Sequence, residues 1–337
     1  MKGAMFYGEL EDQAVRCGLC PHRCVIQEKK RGICGVRENQ EGKLYSLVYG
    51  RAISCAIDPI EKKPLFHFYP GSEAYSIATV GCNLRCGNCQ NYQISQMPKD
   101  GGRIEGTEIP PEKVVEEARS AECKSIAYTY TEPTIWFEYA YDTSIIASKK
   151  GIKNVFVTNG YITEEALKTA ARHLDAANID LKSMREDFYR ENCGGHLQPV
   201  LDSIRLYKKL GIWIELTTLV IPTLNDSTEE LQQIADFIVS VGKEIPWHVT
   251  RFYPHYKLLN LPPTPIETLQ RAREIGLESG LKYVYEGNVP GEGGENTYCW
   301  NCGKILIRRL GYRILTNEIK DSRCRFCRER IDGKGMK

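Results

Sequence analysis

The sequence predicts an α/β protein: a partial (β/α)6-type barrel with a cysteine-rich N-terminal extension and a C-terminal four-cysteine module of zinc-ribbon type. Seven short segments between residues 75 and 288 are almost continuously apolar, as parallel strands covered on both faces are. Amphipathic helical stretches alternate with these segments. Eleven of the fourteen cysteines fall into three groups with the spacing of metal ligands.

The predicted strands are residues 76–80, 125–130, 154–158, 177–181, 213–221, 248–252 and 283–285. Residues 111–123 and 227–241 carry the clearest helical patterns, and Ser227 is placed to cap the second of them. Six or seven βα units after a long N-terminal extension favour a partial barrel over a complete eightfold one. The predicted divisions are an extension over 1–74, a core over 75–290 and a C-terminal module over 291–337.

Composition indicates an ordinary globular protein. Of 337 residues, 42% are apolar and 26% are charged. No apolar run reaches the roughly 20 residues of a membrane span, and the N-terminus has no signal-peptide core. We therefore expect a cytoplasmic protein without a membrane partner, whose cysteines bind metal and do not form disulfides.

The net charge of +2 is unevenly distributed. Residues 304–337 hold eleven Lys or Arg and four Asp or Glu, which gives +7 and leaves −5 (2 − 7) for the rest. A non-enzymatic zinc protein that binds nucleic acid through this basic module is therefore the alternative from another class. Only Tyr312 and Phe326 lie among the basic residues as aromatic stacking platforms, so a solvated surface is the favoured interpretation and nucleic acid is not expected as a partner.

Three cysteines spaced C-x3-C-x2-C follow the first predicted strand: Cys82, Cys86 and Cys89. Three thiolates leave one iron of a [4Fe–4S] cluster without a protein ligand, and S-adenosylmethionine can chelate that iron through its amino and carboxylate groups. Structural zinc sites and electron-transfer clusters normally have four protein ligands. The alternative is a closed metal site that takes its fourth cysteine from elsewhere in the chain.

Polar residues follow the other predicted strands at the points where they end. In a barrel of parallel strands these ends meet at one mouth, where active sites are built. Asp180 and Lys182 lie two apart and should point the same way. The strand-end residues are Thr131 to Pro133, Thr158 to Gly160, Asp180, Lys182, Thr217 to Asn225, and Arg251.

Eight segments in order along the chain resemble the radical S-adenosylmethionine (radical SAM) superfamily. More narrowly, they resemble its pyruvate formate-lyase activase-like branch and the radical enzyme of the three-component AmmeMemoRadiSam system. The resemblance implies a radical SAM barrel. It also implies a low-potential electron donor of flavodoxin or ferredoxin type, with the companion proteins of that system as further partners. The segments are 58–68, 82–91, 128–134, 157–160, 179–182, 219–226, 246–252 and 285–288.

The resemblance also assigns roles in binding S-adenosylmethionine. Glu132 and Pro133 match the end of the family's Gly-Gly-Glu-Pro motif, which binds the methionine ammonium, although Tyr130 and Thr131 replace the glycines. The backbone of Asn88 is expected at the adenine, where relatives carry an aromatic or large residue. The remaining expected contacts, to sulfonium, ribose or carboxylate, are Asn159, Asp180 and Lys182. Structural alternatives remain: Glu132 could start a helix, and Asp180 with Lys182 could be a surface ion pair.

Two further cysteine groups flank the core. Cys299, Cys302, Cys324 and Cys327 have zinc-ribbon spacing, with Gly303 in the first turn, which favours a closed structural zinc site over a second Fe–S cluster. Cys17, Cys20, Cys24 and Cys34 form a looser set for zinc or an auxiliary [4Fe–4S] cluster. Zinc is slightly favoured there because nothing in the sequence requires a second electron relay, and His22 is expected to form a hydrogen bond near that site.

Three cysteines lie outside these groups. Cys55 and Cys123 are predicted to be small buried residues, and Cys193 to be a loop residue without a catalytic role.

For function, the sequence predicts reductive cleavage of S-adenosylmethionine to a 5′-deoxyadenosyl radical that abstracts hydrogen from an unidentified substrate. Activation of a glycyl-radical enzyme at a protein glycine is the alternative.

Overall fold

An eight-stranded, largely parallel sheet forms the centre of the computed structural model, which describes residues 1–289, 291 and 293–337. The strands are β1 (Lys2–Gly3), β2 (Tyr7–Glu9), β3 (Val15–Cys17), β4 (Val25–Ile26), β5 (Arg37–Gln40), β6 (Lys43–Ser46), β7 (Arg51–Ala52), β8 (Ser54–Pro59), β9 (Glu73–Ala78), β10 (Thr107–Glu108), β11 (Ser125–Tyr128), β12 (Lys153–Thr158), β13 (Ala176–Asp180), β14 (Trp213–Val220), β15 (Trp247–Arg251), β16 (Val284–Gly287), β17 (Thr297–Tyr298), β18 (Ile305–Leu310), β19 (Arg313–Asn317), β20 (Ile319–Lys320) and β21 (Arg323–Cys324).

The central sheet has the order β8-β9-β11-β12-β13-β14-β15-β16. The strands from β9 to β16 pair in parallel in chain order, and β8 joins β9 antiparallel at one edge. Each of the seven predicted strands overlaps one of the seven parallel strands, so the α/β prediction is confirmed. β8 was not predicted. All four residues of β11 are buried, which is why its sequence shows no polar alternation.

Helices connect the parallel strands. They are α1 (Tyr92–Ser95), α2 (Met97–Asp100), α3 (Pro111–Ser120), α4 (Phe137–Lys149), α5 (Glu164–Ala170), α6 (Glu186–Phe188), α7 (Leu197–Lys209), α8 (Thr228–Val241) and α9 (Ile266–Glu278). Short 3-10 helices span Glu11–Gln13, Ile60–Lys62 and Pro133–Trp136, and a π-helical turn spans Tyr189–Cys193. α3 ends three residues before the predicted boundary because the chain turns at Glu122, whose φ is 55°.

The terminal segments form small sheets on this core. β1, β6 and β5 form one N-terminal sheet, and β2, β3 and β4 form another. The C-terminal strands share a buried cluster with Phe66, Tyr283 and Tyr285, which lie in or next to the core strands. Within the described residues, none of the helices has both the length and the apolar character needed to cross a membrane.

The start of α8 gives a direct test of local structure. The Ser227 hydroxyl accepts a hydrogen bond of 3.2 Å from the backbone N–H of Glu230, as predicted for an N-cap. We expect Ser227→Ala to lower the free energy of unfolding by about 1 kcal/mol, measured by urea unfolding. Ser240→Ala near the other end of α8 is the control and should have little effect, because Ser240 is exposed. Equal losses in both variants would contradict the capping role.

Candidate active site

One cavity of about 440 Å³ lies at the carboxyl ends of the parallel strands. The loop after β9, the segment after β11 and the ends of β12, β13, β14 and β15 all contribute to its wall. The structure thus brings most of the predicted strand-end stretches to one cavity, through Thr131, Glu132, Thr158, Asn159, Asp180, Lys182, Thr217, Leu219 and Ile221. Pro133, Gly160 and the rest of Thr217 to Asn225 do not line it. Arg251 does not line the cavity and donates from Nε to the carbonyl of Thr264 (2.8 Å), while its neighbour Thr250 faces the cavity, since adjacent strand residues point to opposite faces.

The cysteine loop is fixed from both sides. The backbone N–H groups of Arg85 and Gly87 donate to the carbonyls of Cys193 (2.7 Å) and Asn192 (3.0 Å). On the opposite side, Lys99 Nζ donates to the carbonyl of Leu84 over 2.6 Å. Because the turn is irregular, these contacts with distant segments supply the hydrogen bonds that regular secondary structure would otherwise supply.

The three thiols Cys82, Cys86 and Cys89 line the cavity together. The backbone N–H of Leu84 donates to Cys82 Sγ (3.4 Å), and the Ser95 hydroxyl lies 3.3 Å from Cys89 Sγ. Hydrogen bonds of this kind stabilise thiolate sulfur. Burial, and to a smaller extent nearby negative groups such as Cys86, raise the pKa of Cys82 and of Cys89, so metal coordination would be needed to hold both sulfurs as thiolates.

Cys193 lies against the loop. It is fully buried at the end of the π-helical turn, and its backbone carbonyl accepts from the N–H of Arg85, the neighbour of Cys86. Interaction with Cys193 lowers the pKa of Cys86 to about 7, and the same interaction together with burial raises the pKa of Cys193. Cys193 thus lies in a π-helical turn and not in the predicted loop, next to one cysteine of the triad.

Glu132 lines the same cavity as the cysteine loop and is 2% exposed. Its Oε1 accepts from the backbone N–H (3.0 Å) and hydroxyl (2.6 Å) of Thr134 and from the hydroxyl of Thr158 (2.7 Å), while Oε2 accepts from the backbone N–H of Asn159 (2.8 Å). The carboxylate caps the 3-10 helix that begins at Pro133, so the alternative prediction that Glu132 starts a helix is confirmed. Burial raises the pKa of Glu132, and all of these hydrogen bonds come from neutral groups.

Three other predicted residues surround the triad. Asn159 donates from Nδ2 to the side-chain oxygen of Asn83 (2.8 Å) and lies 3.8 Å from Cys82 Sγ. Asp180 and Lys182 form an ion pair of 2.7 Å that lines the cavity, so it is not a pair on the outer surface.

Asn88 and Pro133 complete the predicted set. Asn88 also lines the cavity, and its side-chain oxygen accepts from Asn192 Nδ2 (3.0 Å). Pro133 is buried behind Glu132 and does not line the cavity.

Lys63 is a cavity residue that the sequence reasoning missed. It is 1% exposed, donates to Asp58 (2.6 Å), and lies 4.5 Å above the ring of Tyr130. Burial lowers the pKa of Lys63 to about 8 despite the ion pair with Asp58. The segment 58–68 carried part of the family resemblance, which was the available signal. Tyr312, from the turn between β18 and β19, also reaches the cavity, and nothing local in the sequence predicted this.

The C-terminal cysteines are close enough to share one ion. Their four Sγ atoms all lie within 4.8 Å of one another, with Cys299 and Cys327 3.6 Å apart and Cys302 and Cys324 3.7 Å apart. Gly303 has a φ of 70° in the first turn, as predicted. The structure therefore brings these four cysteines together near the C-terminus as a group that could hold one metal ion.

Three further residues were predicted from the sequence: Cys55, Cys123 and His22. Cys123 is buried as expected, but Cys55 is exposed, because it lies on β8, an edge strand with alternating burial. His22 donates from Nε2 to the carbonyl of Asn83 (2.8 Å), next to the cysteine loop.

Gly81, directly before Cys82, gives a test of the cysteine loop. Its φ is 101°, and a Cβ atom there would lie 2.7 Å from Val36 Cγ1 and 3.1 Å from the carbonyl oxygen of Cys34. We expect Gly81→Ala to lower iron bound after reconstitution by at least about half, because the loop must shift. Gly211→Ala is the matched control. Gly211 has a φ of 77°, and a Cβ atom there would have no neighbour within 4 Å, so this variant suffers only the backbone strain of about 1–2 kcal/mol. Equal iron in both variants would contradict this role for Gly81.

Comparison with known proteins identifies the family. Residues 76–238 match the family model of the radical SAM superfamily. The uncharacterized protein MJ0808 of Methanocaldococcus jannaschii is 52% identical over 98% of this chain and 99% of its own. The pyruvate formate-lyase-activating enzyme of Clostridium pasteurianum is 24% identical over 61% of this chain and 89% of its own.

Among solved structures, Streptococcus suis SuiB bound to S-adenosylmethionine shares the fold. The TM-score is 0.51 at 15% identity, over 68% of this chain and 53% of SuiB. Together with the cavity and its three cysteines, these similarities show that the chain belongs to the radical SAM superfamily and has homologues among the pyruvate formate-lyase-activating enzymes.

Proposed function

We propose that this protein reductively cleaves S-adenosylmethionine at a [4Fe–4S] cluster bound by Cys82, Cys86 and Cys89, and abstracts hydrogen from a substrate held in the same cavity. The observation that carries the proposal is a triad of cysteines in one loop that, together with the buried carboxylate of Glu132, lines one cavity of about 440 Å³. When bound and reduced, the cluster supplies the electron that breaks the sulfonium C–S bond and yields methionine and a 5′-deoxyadenosyl radical.

The donor set fits the cluster. The triad offers three soft sulfur ligands, and two of them have a hydrogen-bonding group beside them: Leu84 N–H at Cys82 and Ser95 at Cys89. The third, Cys86, lies next to Cys193, and this interaction lowers the pKa of Cys86 to about 7, which favours a thiolate ligand there.

Glu132 is assigned to the methionine ammonium. A carboxylate that is buried without a cation is destabilised, as the raised pKa of Glu132 indicates, and none of the described residues forms an ion pair with it. An ammonium group on the cavity side would supply the missing positive charge through a charge-assisted hydrogen bond. The Thr134 and Asn159 backbone N–H groups fix the carboxylate for this contact.

The other cavity side chains orient the rest of S-adenosylmethionine. Asp180 and Lys182 offer one charge of each sign at the end of β13, suited to ribose hydroxyls and to the methionine carboxylate. Asn159 lies beside Cys82 and so faces the position of the sulfonium, and the backbone of Asn88 is assigned to adenine. The sequential strand order and the cavity shared by the strand ends support a partial barrel as the architecture around them.

Zinc is the proposed ion of the C-terminal site. Zn–S bonds of about 2.3 Å hold the sulfurs of a tetrahedron roughly 3.8 Å apart. The sulfur separations of 3.6 and 3.7 Å agree with that value. The role assigned to this ion is structural, since the site closes a module whose buried cluster continues into the core.

A small or otherwise unidentified substrate is the first proposal, with a ferredoxin or flavodoxin as electron donor and the AmmeMemoRadiSam companions as partners. The cavity volume lies within the range of small-molecule sites, and Tyr312 contributes to its wall. The second candidate is radical formation on a protein glycine, which the similarity to the Clostridium pasteurianum enzyme favours.

The decisive experiment is anaerobic reconstitution, reduction with dithionite and addition of S-adenosylmethionine, with 5′-deoxyadenosine and methionine measured together. We expect slow release of both in equal amounts. Cys86→Ala should lower release at least about a hundredfold, because one of three cluster ligands is lost. Cys55→Ala, at an exposed cysteine outside the cavity, is the matched control and should retain release. A wild-type protein with a full cluster that releases no 5′-deoxyadenosine would refute the proposal.

A further inference from the structure

The four N-terminal cysteines converge on one small cavity of their own. Cys17 ends β3, Cys20 and Cys24 lie in the connection to β4, and Cys34 lies shortly before β5. All four line an apolar cavity of about 20 Å³, together with His22 and Arg37. These four thiols belong neither to the proposed cluster site at Cys82, Cys86 and Cys89 nor to the C-terminal four-cysteine group.

The spacing of their sulfurs differs from that of the C-terminal site. Within residues 1–289, 291 and 293–337, the C-terminal cysteines are the group of potential ligands whose donor atoms all lie within 4.8 Å of one another. A tetrahedron of sulfurs around one zinc has edges of about 3.8 Å and leaves no room for a cavity between them. The N-terminal set is wider and encloses a cavity, like the set Cys82, Cys86 and Cys89, which also falls outside that limit. A cluster that binds one thiolate at each of four irons needs this wider arrangement.

Arg37 supplies a second, independent observation. Its side chain is 1% exposed and lines the cavity. Nη1 donates to Glu138 (2.9 and 3.1 Å) and Nη2 to the carbonyl of Met5 (2.6 Å), but Nε has no hydrogen-bond partner in the described part of the chain. A buried N–H without an acceptor is costly. The bridging sulfides of an Fe–S cluster are acceptors that a zinc ion does not bring.

We propose that Cys17, Cys20, Cys24 and Cys34 bind a [4Fe–4S] cluster with four protein ligands, separate from the cluster of the three-cysteine loop. This differs from zinc, which the sequence analysis slightly favoured because nothing in the sequence requires a second electron relay. The two sites are neighbours: His22 donates to the carbonyl of Asn83, and the carbonyl of Cys34 lies beside Gly81. The N-terminal cluster therefore lies directly behind the loop that holds Cys82.

The test removes the first cluster and asks whether iron remains. In the variant with Cys82, Cys86 and Cys89 all replaced by Ala, anaerobic reconstitution should leave about four irons and four sulfides per chain. Dithionite should then give the electron paramagnetic resonance signal of a reduced [4Fe–4S] cluster. Adding Cys20→Ser and Cys34→Ser should abolish the iron while about one zinc stays bound. Cys55→Ala, at an exposed cysteine outside both sites, is the matched control on the same triple background and should keep the iron.

Each outcome is decisive. Two zinc ions and no iron in the triple variant would overturn the proposal, as would iron that survives the two added serine replacements. Wild-type protein provides a measurement that needs no variant to fold: about eight irons per chain support the proposal, and about four with two zinc ions contradict it. Metal content and spectra are independent of S-adenosylmethionine cleavage, so this proposal can fail while the proposed function holds, and the reverse.

Discussion

Glu132→Gln is expected to lower kcat/KM for S-adenosylmethionine cleavage at least about thirtyfold, or about 2 kcal/mol. The reason lies in the geometry of the carboxylate. Oε1 accepts from the backbone N–H of Thr134 and Oε2 from the backbone N–H of Asn159. Glutamine replaces one of these oxygens by an NH₂ group, so in either orientation a donor meets a backbone donor. The side chain must then turn away, and the negative charge assigned to the ammonium group is lost.

Glu230→Gln is the matched control for this prediction. Glu230 is also buried, but Oε1 alone accepts from both the Ser183 hydroxyl and the backbone N–H of Met184, while Oε2 is 4.0 Å from Arg185. A glutamine can keep its carbonyl oxygen at the Oε1 position, and Glu230 does not line the cavity. Cleavage should therefore stay near wild type in Glu230→Gln. Near wild-type kcat/KM in Glu132→Gln, with circular dichroism showing a folded protein, would remove Glu132 from the proposed site.

The elements that local sequence determines were predicted well. A run such as 125–130 is apolar at nearly every position, and this is what a parallel strand with both faces covered requires. Likewise, Ser227 and the acidic residues after it determine where α8 begins. The strand ends then follow from topology, since parallel strands bring Cys82, Glu132 and Asp180 to one edge.

The contacts that sequence did not predict join segments far apart in the chain. Cys193 lies against Cys86 because a π-helical turn more than a hundred residues away packs on the cysteine loop, and no local pattern encodes that contact. Lys63 enters the cavity from the segment before β9, held by Asp58. The prediction that Cys55 is buried was wrong for a different reason. Cys55 lies on an edge strand, and the type of a residue does not by itself show that it lies on the exposed face of such a strand.

Glu138→Ala is expected to have the largest effect on stability, lowering the free energy of unfolding by about 3–5 kcal/mol. Glu138 and Arg37 are almost completely buried and pair through two hydrogen bonds of 2.9 and 3.1 Å, and Glu138 also accepts from the backbone N–H of Met5 (2.6 Å). Removing the carboxylate leaves a buried guanidinium without its counter-charge, together with an unpaired backbone donor. Thermal and urea unfolding of the reconstituted protein would measure the loss.

Glu116→Ala on the neighbouring helix α3 separates the effect of burial from that of charge. Its partner Lys113 lies 3.0 Å away, but both side chains are at least half exposed, so water replaces the lost contact and the unfolding transition should not move. If the Glu138→Ala protein were as stable as the Glu116→Ala protein, other negative groups would have to neutralise the positive charge of Arg37. The groups in position to do so are the thiolates of Cys17 and Cys34, which raise the pKa of Arg37 alongside Glu138, against the lowering effect of burial. Repeating the comparison on metal-free protein would then decide whether metal-bound thiolates balance Arg37. Without a metal, burial raises the pKa of Cys34 to about 11, so Glu138→Ala should become the less stable of the two variants.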